Sequence, residues 1–453
     1  MYYRSIVLEM IEWRNDPRRK PMILRGARQV GKSTVVDQFA HEFEQYIKVN
    51  LDEKEDRKLF EEYENMDDFL QQLFFKKKVS FSKKESTLIF IDEIQALPEA
   101  FNLLRYFYEK YPEIAVIAAG SMLETILNPD VTIPVGRVDF LVLRPFSFEE
   151  FLQASGEHDA LEVMNTIPFP DYAYDRLMSL YHTYSIIGGM PEVVKTYVKT
   201  KDFIKIKKIY EGLIVTYLED VEKYANHNTQ IQVIRYIIRN AFYHANERIT
   251  FQNFANSTYK SREVGEAFRT LEKCFLLHLI YPLTSSVLPK IPDIKKSPRL
   301  QVLDTGIANF MLGIQGEIMG TKDLSTIYKG RIIEHLVGQE ILAASFSPLH
   351  QLDFWIRDKA SSSAEVDYIM QFGSKLYPVE VKSGKEGKLK SLQLYMDQAE
   401  VDIAFRLNAN KINIKHTQTP QGTKFILVSL PYFLGSKLDK YIEWSKTISR
   451  NEN

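Results

Sequence analysis

The sequence contains little cysteine, no long apolar run and no excess of charge of either sign. Its single cysteine, Cys274, excludes a disulfide within the chain and is typical of proteins of the reducing cytosol. No uninterrupted apolar run approaches the roughly 18 residues of a membrane-spanning helix, and the N-terminus lacks the pattern of a signal peptide. We therefore expect a cytoplasmic protein that does not span a membrane. Because the net charge is −1, contact with nucleic acid would require a local basic patch.

Apolar and aromatic residues are abundant by contrast. The chain has 453 residues, of which 45% are hydrophobic and 12% aromatic, and this content argues against long disordered regions. A chain of this length is expected to form roughly two to four domains, each with its own core.

A phosphate-binding motif begins at Gly26. Residues 26–34 read GARQVGKST and fit the P-loop pattern G-x-x-x-x-G-K-[ST]. Residues 21–24 predict a short strand before the motif and residues 34–40 a helix after it, which is the context that the motif requires. The glycines let successive N–H groups point at phosphate oxygens, and the helix N-terminus adds positive charge. The predicted nucleotide-binding residues are Gly26, Ala27, Arg28, Gln29, Val30, Gly31, Lys32, Ser33 and Thr34.

Four side chains carry the predicted chemistry. Lys32 would reach the β- and γ-phosphates of ATP, and the Ser33 hydroxyl would be a ligand of Mg²⁺. Residues 87–91 read as a buried parallel strand that ends in Asp92 and Glu93, at the sheet edge where such folds bind ligand. Asp92 would hold Mg²⁺ through water, and Glu93 would orient the attacking water.

A further apolar segment, residues 114–119, predicts the next buried strand. It places the Ser121 hydroxyl near the same edge, where it would contact the γ-phosphate. The alternative is that Gly120 and Ser121 form only a turn.

These segments resemble the prokaryotic AAA-type ATPases. The resemblance rests on Leu24–Thr34, Phe90–Glu93, Ala119–Met122, Gly136–Val138 and Leu143–Phe151. In that group a Gly-Arg pair and the signature L-x-P-L-S-F-x-E-F follow the sensor strand, and Phe146 here stands where Leu is usual. The resemblance implies that Arg137 is an arginine finger, with Arg144 as the second choice and a surface ion pair as the structural alternative. A finger from a neighbouring subunit would require a homo-oligomer, which the sequence leaves open.

The middle of the chain is expected to be mainly helical. Residues 188–192, GGMPE, predict a turn between helices, and the same family carries a Gly-Gly-x-Pro-Glu turn in a helical lid over the nucleotide.

A second module is expected after the lid. Residues 261–275 predict a helix with one apolar face, and residues 277–283 predict a strand, an order that suits a winged helix whose second helix enters a DNA major groove. The opposite helix face is charged, but Glu266 on it would face phosphate, so a surface that packs against protein is an equal alternative. Asp304 is expected to cap a later helix.

An acidic cluster is expected near the C-terminus. Glu380 and Lys382 lie on one face of a predicted strand, Asp367 lies on the preceding strand, and Glu334 lies on an earlier helix. This pattern resembles the restriction-endonuclease-like superfamily, where the acids hold Mg²⁺ and the lysine steadies the water or the transition-state charge. The alternative is an exposed hairpin with cross-strand ion pairs.

The predicted fold is α/β, with a parallel-sheet AAA-type core at 1–155, a helical lid at 156–235, a winged helix at 236–300 and an α/β restriction-endonuclease-like domain at 301–453. The predicted function is a Mg²⁺-dependent ATPase that binds or processes double-stranded DNA. The alternative is a nucleotide-dependent switch that binds a protein partner through an inactive nuclease-like domain.

Overall fold

A computed structural model describes residues 2–120, 134, 136–223, 225, 227–320, 330–358, 364–382 and 389–451. Helices and strands alternate in the first part of the chain. These elements are α1 Ile6–Asn15, β1 Met22–Arg25, α2 Lys32–Phe39, β2 Gln45–Asn50, α3 Lys54–Glu61, α4 Met66–Lys76, β3 Thr87–Asp92, α5 Ala100–Lys110, β4 Ala115–Ala119 and β5 Asp139–Val142.

The five strands of this part form a parallel sheet in the order β2-β3-β4-β1-β5. Both faces of the sheet are covered, since Leu88 and Phe90 of β3 belong to one apolar core and Ile89 and Ile91 to another. A parallel strand buried on both faces reads as a continuous apolar run, which is why the sequence predicted β3. The parallel arrangement brings the carboxyl ends of β1, β3 and β4 to one edge, and the predicted α/β core is confirmed.

A helical region follows, again as the sequence predicts. Its helices are α6 Phe148–Ala154, α7 His158–Met164, α8 Tyr174–Ile187, α9 Pro191–Thr200, α10 Phe203–Asp220, α11 Asn228–Ala241 and α12 Ser261–Lys273. The last of these ends two residues before its predicted end, because Phe275 has a φ of 61° and turns the chain toward the next strand.

The predicted strand after α12 is interrupted. It consists of β6 Leu277–Ile280 and β7 Pro282–Leu283, which belong to different sheets. β6 pairs antiparallel with β8 Arg299–Val302, whereas β7 pairs with β9 Phe354–Ile356. The segment after α12 therefore shares hydrogen bonds with the C-terminal part of the chain.

The C-terminal part contains helices and a mixed sheet. The remaining elements are α13 Thr305–Leu312, α14 Gln315–Gly320, α15 Arg331–Ala343, β10 Glu365–Val366, β11 Tyr368–Phe372, β12 Lys375–Val381, α16 Lys390–Met396, β13 Ile403–Asn408, β14 Asn413–Gln418, β15 Lys424–Pro431 and α17 Leu438–Asn451. The sheet order is β11-β12-β13-β15-β14, and β10 pairs separately with β9. Asp367 lies between β10 and β11, so the strand on which the sequence placed it is divided at this residue.

The glycine turn between α8 and α9 joins three segments. Gly188 has a φ of 60°, and a Cβ there would lie 2.4 Å from Asp304 Oδ1. A Cβ on Gly189 would lie 2.2 Å from the Phe146 carbonyl oxygen. The Gly189 N–H donates to Asp304 Oδ2 at 2.6 Å, and Asp304 Oδ1 accepts from Ile307 N at 3.0 Å. Asp304 therefore caps α13, as predicted, and also binds the turn, which only glycine allows to approach so closely.

A buried acid of α15 reaches the start of α6. Both carboxyl oxygens of Glu340 lie 3.1 Å from Phe148 N, and Oε1 lies 2.8 Å from the Tyr184 hydroxyl oxygen. Glu340 is fully buried, and this burial raises its pKa to about 8. The contact ties the C-terminal part of the chain to the segment that follows the parallel sheet.

Over the part of the chain that the structure describes, no helix is both long and apolar enough to cross a membrane.

Candidate functional site

The P-loop has the predicted strand–loop–helix context. β1 ends at Arg25, and α2 begins at Lys32 after Gly31, whose φ is 95°. Gly26 has a φ of 143°, and a Cβ there would lie 2.2 Å from the Leu143 carbonyl oxygen. Left-handed conformations in such a loop turn successive N–H groups toward one point, where they form an anion site. Gly26 and Gly31 thus give the P-loop the positive φ angles that such an anion site uses, and its binding of phosphate stays a prediction.

Lys32 is positioned by the loop that precedes it. Its buried ammonium donates to the carbonyl oxygens of Gly26 at 3.0 Å and Ala27 at 2.9 Å. An ammonium has three N–H groups, so one remains for a phosphate oxygen. Burial lowers the pKa of Lys32 to about 8, although the carboxylates of Glu93 and Asp92 act in the opposite direction. A phosphate would supply the counter-charge that favours the charged form of this amine.

The predicted magnesium ligands meet at the end of β3. Ser33 Oγ donates to Asp92 Oδ2 at 2.6 Å, although the two residues are far apart in sequence. Mg²⁺ prefers oxygen ligands and usually keeps several waters beside one or two protein groups and the substrate phosphates. The hydroxyl and the carboxylate therefore fit a magnesium ion bound with a nucleotide.

Glu93 lies beside this pair in an uncommon backbone conformation. Its φ is 51°, and its carboxylate accepts a short hydrogen bond from Gln95 Nε2. A left-handed conformation outside glycine often marks a functional position. The sequence analysis missed Gln95. The available signal was the position of Gln95, two residues after Glu93, which directly follows β3.

Arg4 is a second residue that the sequence analysis missed. Its side chain is buried and donates to the carbonyl oxygens of Val30 at 2.9 Å and Arg144 at 2.6 Å. Its Nε also lies 3.1 Å from Glu150 Oε1. Arg4 thus links the P-loop to the segment after β5. No pattern in the sequence predicts this contact.

Arg28 of the P-loop is paired with the helical region. Its Nη1 lies 2.5 Å from Asp220 Oδ2, at the last residue of α10. Tyr217, one turn earlier, donates to the Arg28 carbonyl oxygen at 3.4 Å. The loop is therefore held from both the parallel sheet and α10.

The candidate arginine fingers have different surroundings. Arg137 Nε lies 3.1 Å from Glu109 Oε1, and 43% of its side chain is exposed, which agrees with the ion pair considered as the alternative. Arg144 lines a cavity together with Ala27, and burial lowers its pKa to about 10. Ser121 lies outside the described residues. The catalytic roles of Arg137 and Ser121 stay predictions.

The acidic cluster of the C-terminal part does assemble. Lys382 Nζ makes a short ion pair with Glu380, Asp367 Oδ2 accepts from Val381 N at 2.7 Å, and Asn246 Nδ2 donates to Glu334 Oε2 at 2.6 Å. Burial, reinforced by the Asp367 carboxylate, raises the pKa values of Glu334 and Glu380 to about 8.

Among the described residues, no three His, Cys, Asp or Glu side chains have the spacing to hold a metal ion. The use of the acidic cluster as a nuclease site stays a prediction.

Three family models match the chain. Residues 18–152 match the AAA domain. Residues 178–317 match a domain of unknown function, DUF8612, and residues 329–433 match another, DUF4143. These two descriptions assign neither a winged helix nor an endonuclease fold. No curated protein matches the chain in sequence.

Solved structures add two distant similarities. A Walker-type ATPase from Pyrococcus abyssi is 16% identical, with 69% of this chain and 96% of that one covered and a TM-score of 0.43. The Pif1 helicase from Candida albicans is 12% identical, with 39% of this chain and 47% of that one covered and a TM-score of 0.23. Both TM-scores are too low to establish a shared fold.

The assignment therefore rests on the AAA match and on the geometry inside it. The matched region contains the P-loop, the Ser33–Asp92 contact and the parallel sheet that brings them together. Residues 18–152 of this chain match the AAA domain, and the P-loop lies within this region.

Proposed function

We propose that the protein hydrolyses ATP in a Mg²⁺-dependent reaction. The observation that carries the proposal is the 2.6 Å contact between Ser33 Oγ and Asp92 Oδ2, beside the ammonium of Lys32. A hydroxyl, a carboxylate and an ammonium are the protein groups that a magnesium nucleotide uses at its β- and γ-phosphates. The AAA match supports the same class of substrate.

Each residue has a separate role in this proposal. Lys32 donates its remaining N–H to the phosphates, while Ser33 and Asp92 hold Mg²⁺, which neutralises phosphate charge when bound. Glu93, which Gln95 holds in place, orients a water for attack on the γ-phosphorus. The water oxygen bonds to phosphorus as the bond to the β–γ bridging oxygen breaks, and the products are ADP, inorganic phosphate and one proton.

The first test is Mg²⁺-ATP hydrolysis by the wild type and by Glu93→Gln. The amide keeps the size of the side chain but removes the charge that orients the water, so we expect kcat to fall by at least about a hundredfold while ATP binding is retained. Equal rates in the two proteins would contradict the assigned role of Glu93.

The arginine finger is proposed to come from a neighbouring subunit. Arg137 is 43% exposed, so its guanidinium can reach a neighbouring subunit once the ion pair with Glu109 opens. Mixing Lys32→Ala and Arg137→Ala proteins should restore part of the activity if subunits share sites. No recovery in the mixture, although the two variants associate, would argue for a site completed within one chain.

Coupling to double-stranded DNA is proposed for the C-terminal part. Arg262, Arg269 and Lys273 lie on the exposed face of α12, and the cluster around Glu380 joins residues from a helix and two strand ends. Duplex DNA should then stimulate hydrolysis, and Glu380→Ala should remove any Mg²⁺-dependent DNA cleavage without changing the ATPase rate. Loss of both activities in that variant would refute this separation.

A protein-binding switch is the second candidate. It is favoured by the ion pair between Arg262 Nε and Glu266 Oε1 at 2.9 Å, which occupies part of the basic face of α12. In that case nucleotide would change assembly with a partner, and duplex DNA would leave the ATPase rate unchanged.

A further inference from the structure

Arg28 combines a place in the P-loop with a counter-ion from outside the ATPase domain. It lies two residues after Gly26, within the loop whose backbone would cradle the β- and γ-phosphates of a bound nucleotide. Its charge is close enough to Lys32 to act on that amine, in opposition to the nearby carboxylates. The Arg28 guanidinium is therefore a second cation beside the proposed phosphate position.

The partner of Arg28 is a carboxylate that water reaches little. Asp220 is the last residue of α10, and Val221–Lys223 continue the helical path as a 3-10 turn. Only 12% of the Asp220 side chain is exposed, so water screens its charge little. The 2.5 Å contact with Arg28 supplies a counter-charge for this carboxylate.

A nucleotide offers the guanidinium a stronger acceptor. Arginine binds phosphate oxygens and carboxylates with the same planar N–H geometry, and a γ-phosphate carries more charge than one carboxylate. Because 37% of the Arg28 side chain is exposed, the guanidinium has space to change partner without unfolding its surroundings.

We propose that Arg28 is a catalytic cation for the γ-phosphate and that Asp220 is its counter-ion in the absence of nucleotide. The proposal rests on the ATPase function proposed above. It also connects two parts of the chain, since Arg28 lies in the region that matches the AAA domain and Asp220 in the region that matches DUF8612. Movement of the end of α10 would then change the fraction of molecules in which Arg28 contacts the γ-phosphate instead of Asp220.

The test compares kcat and KM for Mg²⁺-ATP in Arg28→Ala, Asp220→Asn and the double variant. Arg28→Ala should lower kcat by at least about tenfold, equivalent to about 1.4 kcal/mol of transition-state stabilisation, with a smaller change in KM. Asp220→Asn should raise kcat by a few fold, because Arg28 is released. If Asp220 changes kcat through Arg28, the double variant should have the same kcat as Arg28→Ala.

Lys77→Ala is the matched control. Lys77 forms an ion pair of 2.7 Å with Asp56, at similar exposure, and neither residue belongs to the P-loop. The kcat of Lys77→Ala should equal that of the wild type. The thermal midpoint of every variant is measured to detect a folding defect. If both Arg28→Ala and Asp220→Asn lower kcat together with the thermal midpoint, the pair is a structural brace and the proposal is overturned.

Lys32→Ala separates failure of this inference from failure of the ATPase function. If Lys32→Ala hydrolyses ATP as fast as the wild type, the ATPase function itself is wrong. If Lys32→Ala is inactive while Arg28→Ala keeps the wild-type kcat, only the role of Arg28 is wrong.

Discussion

The contact between Glu340 and Tyr184 predicts where a buried proton lies. The Tyr184 oxygen is 2.6 Å from the Phe146 carbonyl oxygen and 2.8 Å from Glu340 Oε1, yet a phenol has one hydrogen. A carbonyl oxygen only accepts, so the Tyr184 hydrogen is used in the shorter contact. The hydrogen in the 2.8 Å contact between Tyr184 and Glu340 must then belong to the Glu340 carboxyl group. This assignment agrees with the pKa of Glu340, which burial raises to about 8.

The sign and size of the effect on stability follow from this pKa. An acid whose folded pKa lies above its unfolded value stabilises the fold below the unfolded pKa and loses that contribution as pH rises through the folded one. For Glu340 the window runs from 4.5 to about 8. Each pH unit within it removes about 1.4 kcal/mol, which is roughly 5 kcal/mol over the whole window.

Glu340→Gln tests this reasoning, because the amide stays neutral and can still accept from Phe148 N. Between pH 5 and 8 the thermal midpoint of the wild type should fall by about 1–2 °C more per pH unit than that of the variant. The variant should thus be the more stable protein at pH 8. Thermal scans of both proteins at half-unit steps, with the exposed Glu443→Gln as control, measure the difference. Parallel pH profiles of wild type and Glu340→Gln would refute the assignment.

Three further outcomes are expected. Lys32→Ala should abolish nucleotide binding, measured by calorimetry, and undiminished ATP affinity would contradict the P-loop assignment. Arg4→Ala leaves the Val30 carbonyl without its buried donor and Glu150 without its buried counter-ion, so the free energy of unfolding should fall by about 3–5 kcal/mol. A loss below about 1 kcal/mol would show that the contact is dispensable. Gly189→Ala forces a Cβ toward the Phe146 carbonyl oxygen and should lower the free energy of unfolding by at least about 1–3 kcal/mol. Gly212 is exposed, and a Cβ there meets no neighbouring atom, so Gly212→Ala should not destabilise the protein.

The sequence by itself determined the features that local spacing encodes. The P-loop is continuous in the chain, and its glycines and lysine act through backbone geometry that a few residues define. The buried strand that ends in Asp92 was equally readable, because a parallel strand covered on both faces is an uninterrupted apolar run. Parallel pairing then requires that the ends of β1 and β3 share one edge, which is why Ser33 and Asp92 could be placed together in advance.

Only the tertiary structure decided which distant residues hold this site in place. Arg4 reaches Val30, Asp220 reaches Arg28, and Glu340 reaches Phe148, although each pair comes from separate elements of the chain. Periodicity records which face of an element is buried, but it does not record which neighbour covers that face. A buried ionic or hydrogen-bonding group needs a partner whose identity depends on how the elements pack, and for that physical reason these contacts leave no local pattern in the sequence.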